Sequence, residues 1–158
     1  KIKGLPMEIP RIDKPRIRVA GITIQGDEIL LIEHTKKDKK YWLVPGGGVD
    51  WGESTEQALI REYKEETNLD IEVKDFLFFS EAISPDKNKH VINLYFLVIV
   101  KNDSEPMKIG DESNLSDLRY VSKEEIKDIK LYPNIKEQLL KILNNEQMSS
   151  YLGLLWDN

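Results

Sequence analysis

Glu62, Glu65 and Glu66 stand three and four residues apart in the stretch GGVDWGESTEQALIREYKEETNL (residues 47–69), a spacing that stacks three carboxylates on one side of a helix. Like charges at those offsets cost an isolated helix roughly 0.2 to 0.5 kcal/mol per pair. A helix built this way therefore calls for a counter-charge from outside itself. A hard divalent cation with oxygen ligands supplies one; Mg²⁺ is the usual choice where phosphates are handled, with Mn²⁺ as a substitute. Glutamates at such spacing, taken alone, are more often a solvated face. What changes the reading is their setting: Pro45-Gly46-Gly47-Gly48 comes just before, where the missing Cβ atoms let backbone approach an incoming group, and Glu53 and Arg61 lie between.

The same residues form a recognisable signature. Gly, five residues, Glu, seven residues, Arg-Glu, a bulky residue, any residue, Glu-Glu, any residue, Gly and an aliphatic residue fall on Gly47, Glu53, Arg61, Glu62, Tyr63, Glu65, Glu66, Asn68 and Leu69. On these motifs the chain resembles a Nudix hydrolase. It departs from the pattern twice, with Asn68 in place of Gly and Tyr63 in place of the usual Leu. Asn tolerates the left-handed conformation next best after Gly, so it can still close a helix. Tyr63 can pack its ring while its hydroxyl finds a partner.

The resemblance implies that the Gly46 carbonyl, Glu62, Glu65 and Glu66 ligate metal, while Glu53 and Arg61 support them, Arg61 through its planar fork. Metals so held suit attack of water on a phosphorus of a pyrophosphate. Glu62 is the first choice for general base; an acid of the loop 102–114, Glu112 and then Asp111, is the alternative. Gly47 and Gly48 are expected beside the substrate. Pro85 is the sixteenth residue past Leu69, where family members that cleave ADP-ribose tend to carry a Pro, although a Pro in a polar loop is also common on turn grounds. The favoured substrate is thus ADP-ribose, split into AMP and ribose 5-phosphate, or a related nucleoside diphosphate sugar. A nucleoside triphosphate pyrophosphatase clearing damaged nucleotides is the alternative. A non-catalytic nucleotide-binding module ranks below both, because every box carboxylate is present.

The 158 residues suffice for one domain with a substantial core. With 40% hydrophobic and 32% charged residues the composition is that of an ordinary globular protein. A formal net charge of −5 argues against general nucleic-acid binding, which relies on clustered Lys and Arg. A small nucleotide substrate remains open, since a metal can mediate its contact with an acidic site. The absence of Cys excludes disulfides and thiolate metal sites and fits a reducing compartment. Residues 1–9 are polar and broken by Gly4 and Pro6, unlike a signal peptide, and the longest apolar run, residues 91–100, is about half a bilayer span as a helix. The expectation is a cytoplasmic protein without a membrane partner.

Residues 1–14, with two prolines and a third just beyond, read as an extended arm. Residues 16–25 and 28–34 read as a hairpin about Gly26-Asp27, and residues 35–40 as a charged, solvated loop that could face an anionic substrate. Trp42 in the next short strand reads as packing, and His34 and His90 as structural or solvent-exposed. Ser54 with Gln57 forms a capping-box pattern, predicting a helix to about Thr67 that buries Ala58, Leu59 and Tyr63. Residues 69–82, 91–101 and 117–121 read as strands. Ser122 with Glu125 opens a short helix, and Pro133 is placed to begin a longer one reaching about Asn144. The order suggests a mixed sheet between helical layers, class α+β, and the Nudix resemblance implies the same α/β/α sandwich in a single domain. The tail YLGLLW within residues 147–158 is apolar enough to dock on the core or on a second subunit, so that a homodimer could form through the tail or the arm.

Overall fold

The structure is a computed structural model and describes residues 13–156; most of the arm expected over residues 1–14 lies outside the described residues. The chain runs β1 (Arg16–Ile22), β2 (Ile24–Gln25), β3 (Glu28–Lys36), β4 (Lys39–Leu43), β5 (Gly46–Gly48), α1 (Thr55–Thr67), β6 (Ile71–Ile83), β7 (His90–Val100), β8 (Leu115–Ser122), α2 (Lys123–Ile126), α3 (Lys136–Leu143) and β9 (Tyr151–Leu154). The α+β expectation is borne out, with the strands divided between two sheets. One is mixed, in the order β5-β1-β7-β6-β9, with β1 parallel to β7 and β6 parallel to β9. In the other, β3 pairs antiparallel with β2, β4 and β8.

Alternation along the strands makes two cores. In β1, Val19 faces the cluster of Ala58, Leu59 and Tyr63 from α1, while Ala20 faces that of Ile126, Ile135 and Leu139 from the α2–α3 side. In β3, Leu30 and Leu31 divide in the same way. Strands apolar on both faces can be stable only between helical layers, and that is where these two lie.

Helix α1 obeys its local signals. Ser54 accepts from the Gln57 amide at 3.1 Å while the Gln57 side chain accepts from the Ser54 amide at 2.8 Å, a reciprocal cap worth about 1 kcal/mol. At the other end Asn68 adopts the left-handed conformation, φ 61°, and its amide bonds the Lys64 carbonyl. Tyr63 is fully buried between them; its hydroxyl donates to the Gly21 carbonyl at 2.9 Å and lies 2.5 Å from the Thr23 hydroxyl.

Three expectations are corrected. Only Ile24 and Gln25 pair with β3; residues 16–22 form a separate strand whose edges are already taken by β5 and β7, so the chain changes sheet at buried Thr23. Residues 35–40 are not an open loop: β3 and β4 pair as far as Lys36 and Lys39, and Lys37 and Asp38 make the two-residue turn with φ 49° and 64°. Pro133 does not start a helix. It is buried ahead of α3 with its carbonyl turned to the Ile135 amide at 2.8 Å, and α3 begins at Lys136. The apolar tail enters the mixed sheet as β9, with Leu152 and Leu155 packed on the core.

Candidate active site

Strand β5 and helix α1 meet where the glycines allow it. Gly46 lies against the β1 backbone, and a Cβ there would collide with the Val19 carbonyl oxygen; a Cβ on Gly47 would occupy the position of the Glu62 carboxylate. The Gly46 amide donates to Glu66 Oε1 at 2.7 Å, joining the loop to the last turn of α1. On the opposite side the loop after β7 closes in, its Gly110 amide bonding the Glu66 carbonyl at 2.9 Å. This loop carries Glu112 close enough for its charge to act on both Glu62 and Glu66.

Arg61 binds the acidic residues to the loop. Its Nε and Nη2 donate to the two oxygens of Glu53 at 3.1 and 2.5 Å, Nη2 also reaches the Gly48 carbonyl at 3.1 Å, and Nη1 donates to Glu62 at 2.8 Å. Glu53 in turn accepts from the Asp50 amide at 2.7 Å. The Arg61 hydrogen bonds hold the Glu53 carboxyl below its ordinary range.

The three helix carboxylates differ in environment. Glu65 is half exposed, 3.5 Å from Arg61. Burial raises Glu62, opposed by Arg61 and reinforced by Glu65 and Glu112. Glu66 is only 4% exposed, and burial pushes its carboxyl up to about 7 against the opposing pull of Arg18 and the Gly46 amide. As placed, no three acidic or histidine side chains among the described residues gather about one point, because Glu62 is drawn to Arg61 and Glu65 points toward solvent. The donor set nevertheless suits a hard cation: carboxylate oxygens flank one buried carboxylate whose charge is incompletely balanced, beside a backbone bend without side chains.

Two residues at this site were given no functional role from the sequence, Arg18 none of any kind and His34 only a structural or solvent-exposed one. Arg18 of β1 bonds the Val44 carbonyl at 2.8 Å and lends positive potential to Glu66 and His34. Nothing local marked it, since the same strand carries a second arginine, Arg16. His34 lies with Nε2 3.9 Å from Glu66 Oε2, its Nδ1 3.1 Å from the Asn114 amide and its ring against Tyr41. Burial, and then the charge of Arg18, lower its pKa. Trp42 is core, as read, with the Arg119 guanidinium 5.0 Å from its ring. Pro85 lies exposed at the β6–β7 turn, closed by Ser84 and Lys89. None of the described helices is long and apolar enough to cross a membrane.

Comparison with known proteins agrees with this geometry. A family model described as the NUDIX domain matches residues 14–142. An ADP-ribose pyrophosphatase of Methanocaldococcus jannaschii is 33% identical over 128 residues, 76% of each chain. The phosphatase NudJ of Escherichia coli K12 is 29% identical over 113 residues, 72% of each. Among solved structures, a MutT NUDIX hydrolase from Burkholderia pseudomallei superposes with a TM-score of 0.67 at 23% identity, covering 81% of this chain and 97% of that one.

Proposed function

The chain belongs to the Nudix hydrolase family, a pyrophosphohydrolase lineage, and from that premise we propose that it hydrolyses, with Mg²⁺, the pyrophosphate bond of a nucleoside diphosphate derivative, ADP-ribose being the favoured substrate. The observation that carries this reading is the buried Glu66 carboxylate, bonded to the Gly46 amide and surrounded by Glu62, Glu112 and Arg18. The name of the archaeal relative and the position of Pro85 support the choice of ADP-ribose.

Glu62, Glu65, Glu66 and the Gly46 carbonyl would hold the cation, Mn²⁺ serving as substitute. Once bound, it would neutralise charge on the phosphates and sharpen a water nucleophile. Arg61 fixes the Glu62 carboxylate while Glu53 fixes Arg61, so Glu62 is held to the glycine bend rather than left in solvent. The water oxygen bonds to one phosphorus and the bridging P–O bond breaks, the leaving phosphate taking the electron pair. Glu62 accepts the water proton, a role helped by its raised pKa; exposed Glu112 is the alternative base. Gly47 and Gly48 leave room for the diphosphate at the bend.

The experiment is a panel of ADP-ribose, other nucleoside diphosphate sugars and dNTPs with Mg²⁺ or Mn²⁺. Release of AMP from ADP-ribose is expected. No turnover of any member would refute the proposal, and a preference for dNTPs with release of pyrophosphate would move it to the nucleotide-clearing alternative and reduce Pro85 to a turn residue.

A further inference from the structure

A second concavity opens beyond His34, on the face of the β3–β4 hairpin. It measures about 360 Å³, within the range of small-molecule clefts. Its walls are aromatic: Tyr41 lies 5.7 Å from the His34 ring and 6.2 Å, edge to face, from Tyr132, which meets Trp156 at 6.2 Å in the same manner. This series of rings leads away from Glu66, 3.9 Å from His34 Nε2. Trp156 arrives from the segment after β9, so the tail's docking completes the wall.

The rim is cationic. Lys36, Lys37, Lys39, Lys89 and Lys130 surround the aromatic walls, and none of them forms an ion pair with a described residue. Lysines without an ion pair also occur elsewhere among the described residues; what sets the rim apart is that five of them gather at one cleft, in a chain with 28 acidic residues and a formal charge of −5. Lys36 and Lys39 are direct cross-strand partners, an arrangement that disfavours the hairpin for like charges. Lys37 has φ 49°, in the region that favours glycine or asparagine, so a turn residue of better local fit gives way to another ammonium group. Three segments distant in sequence thus bring unbalanced positive charge to one aromatic cleft.

We infer that this cleft seats the base end of the substrate against the wall formed by Tyr41, Tyr132 and Trp156, and that its lysines select compounds carrying phosphate beyond the two joined by the scissile bond. Aromatic walls complement the faces of a nucleobase, whereas a rim of lysines has no counterpart in a ligand whose only charges are held at the glutamate site. The extra phosphate can lie on the nucleoside sugar or in a longer polyphosphate chain. Identification of the ligand as a pyrophosphate compound rests on the hydrolase reading above.

The test is calorimetric binding, with Mg²⁺ at low salt, of methylene-bridged analogues of ADP-ribose, 2′-phosphorylated ADP-ribose and ATP, which cannot be split at the bridge. Wild type is compared with the combined variant Lys36→Gln, Lys37→Gln and Lys130→Gln, all at exposed positions, its folding checked by thermal unfolding. At least one phosphate-rich analogue should bind wild type about 10-fold more tightly than the ADP-ribose analogue, and the margin should shrink to about 2-fold or less in the variant. A gain confined to one of the two shows where the added phosphate sits. Equal affinity for all three analogues, or a preference that survives loss of the lysines, overturns the inference. Turnover of ADP-ribose by the same preparation keeps the two ideas apart: activity without the preference sinks only this one, and the preference without activity on any pyrophosphate sinks only the hydrolase reading.

Discussion

The glutamate side of the site and the lysine rim of the neighbouring cleft present the same physical problem with opposite sign. Three carboxylates at helix spacing and two lysines in cross-strand register each raise the energy of the element that bears them. They differ in how far the protein itself compensates. Arg61 ties Glu62 and Glu53 to the loop and Arg18 faces Glu66, whereas the rim lysines form no ion pair with a described residue. The acidic side is pre-organised and partly neutralised, as groups that must hold reacting atoms need to be; the basic side is open and solvated, which suits selection among anions more than chemistry.

The largest test of this contrast is Glu66→Gln. It should lower kcat/KM by about 10² to 10³-fold, the several kcal/mol that a correctly held cation contributes to charge stabilisation, without loss of fold. The same variant has a signature in stability. Burial raises the Glu66 carboxyl from 4.5 to about 7, so between those values the folded chain keeps a proton that the unfolded chain has released. In chelator, this group's contribution is therefore fully present below pH 4.5 and is lost as the pH rises through about 7. Unfolding midpoints of cation-free wild type should fall across that window more steeply than those of Glu66→Gln, and Mg²⁺ should remove the difference. Parallel curves would show that Glu66 is not the buried acid described here.

Arg61→Lys comes next. An ammonium group cannot span both Glu53 oxygens and reach Glu62, so activity should drop about 10 to 100-fold with a higher Mg²⁺ requirement, while the thermal midpoint changes little. An unchanged Mg²⁺ titration would mean that Glu62 is positioned without it. The smallest effect on turnover is expected from Tyr63→Phe, which leaves the Gly21 carbonyl and the Thr23 hydroxyl without their buried partner. Denaturant unfolding should report a loss of about 1 to 3 kcal/mol, with kcat/KM preserved below the transition. A large loss of activity in folded protein would show that the support of α1 reaches the chemistry.

Where residues close in sequence settled the matter, the reading from sequence agreed with the structure. The Ser54–Gln57 cap, the left-handed Asn68 and the buried face of Ala58, Leu59 and Tyr63 depend on offsets of a few residues, and local geometry constrains those strongly. It diverged where a strand had to choose among distant partners. Residues 16–22 have the composition of a hairpin strand, but they join β5 and β7 because the open edges lie there. Pro133 suits a helix start by local preference, yet packing buried it in the preceding turn. His34 and Arg18 carried no local sign of a role, because Glu66 and its loop are brought to them only by the pairing of β1 with β5 and of β3 with β8.

The sequence by itself determined the acidic helix, its caps and the glycine bend, since the helical repeat turns a spacing of three and four residues into one face whatever surrounds it. Only the tertiary structure decided how deeply Glu66 is buried, which cations face it, and that lysines from three separate segments share a cleft with Trp156 of the tail. Burial and long-range charge depend on which surfaces pack together, and no short-range preference encodes that.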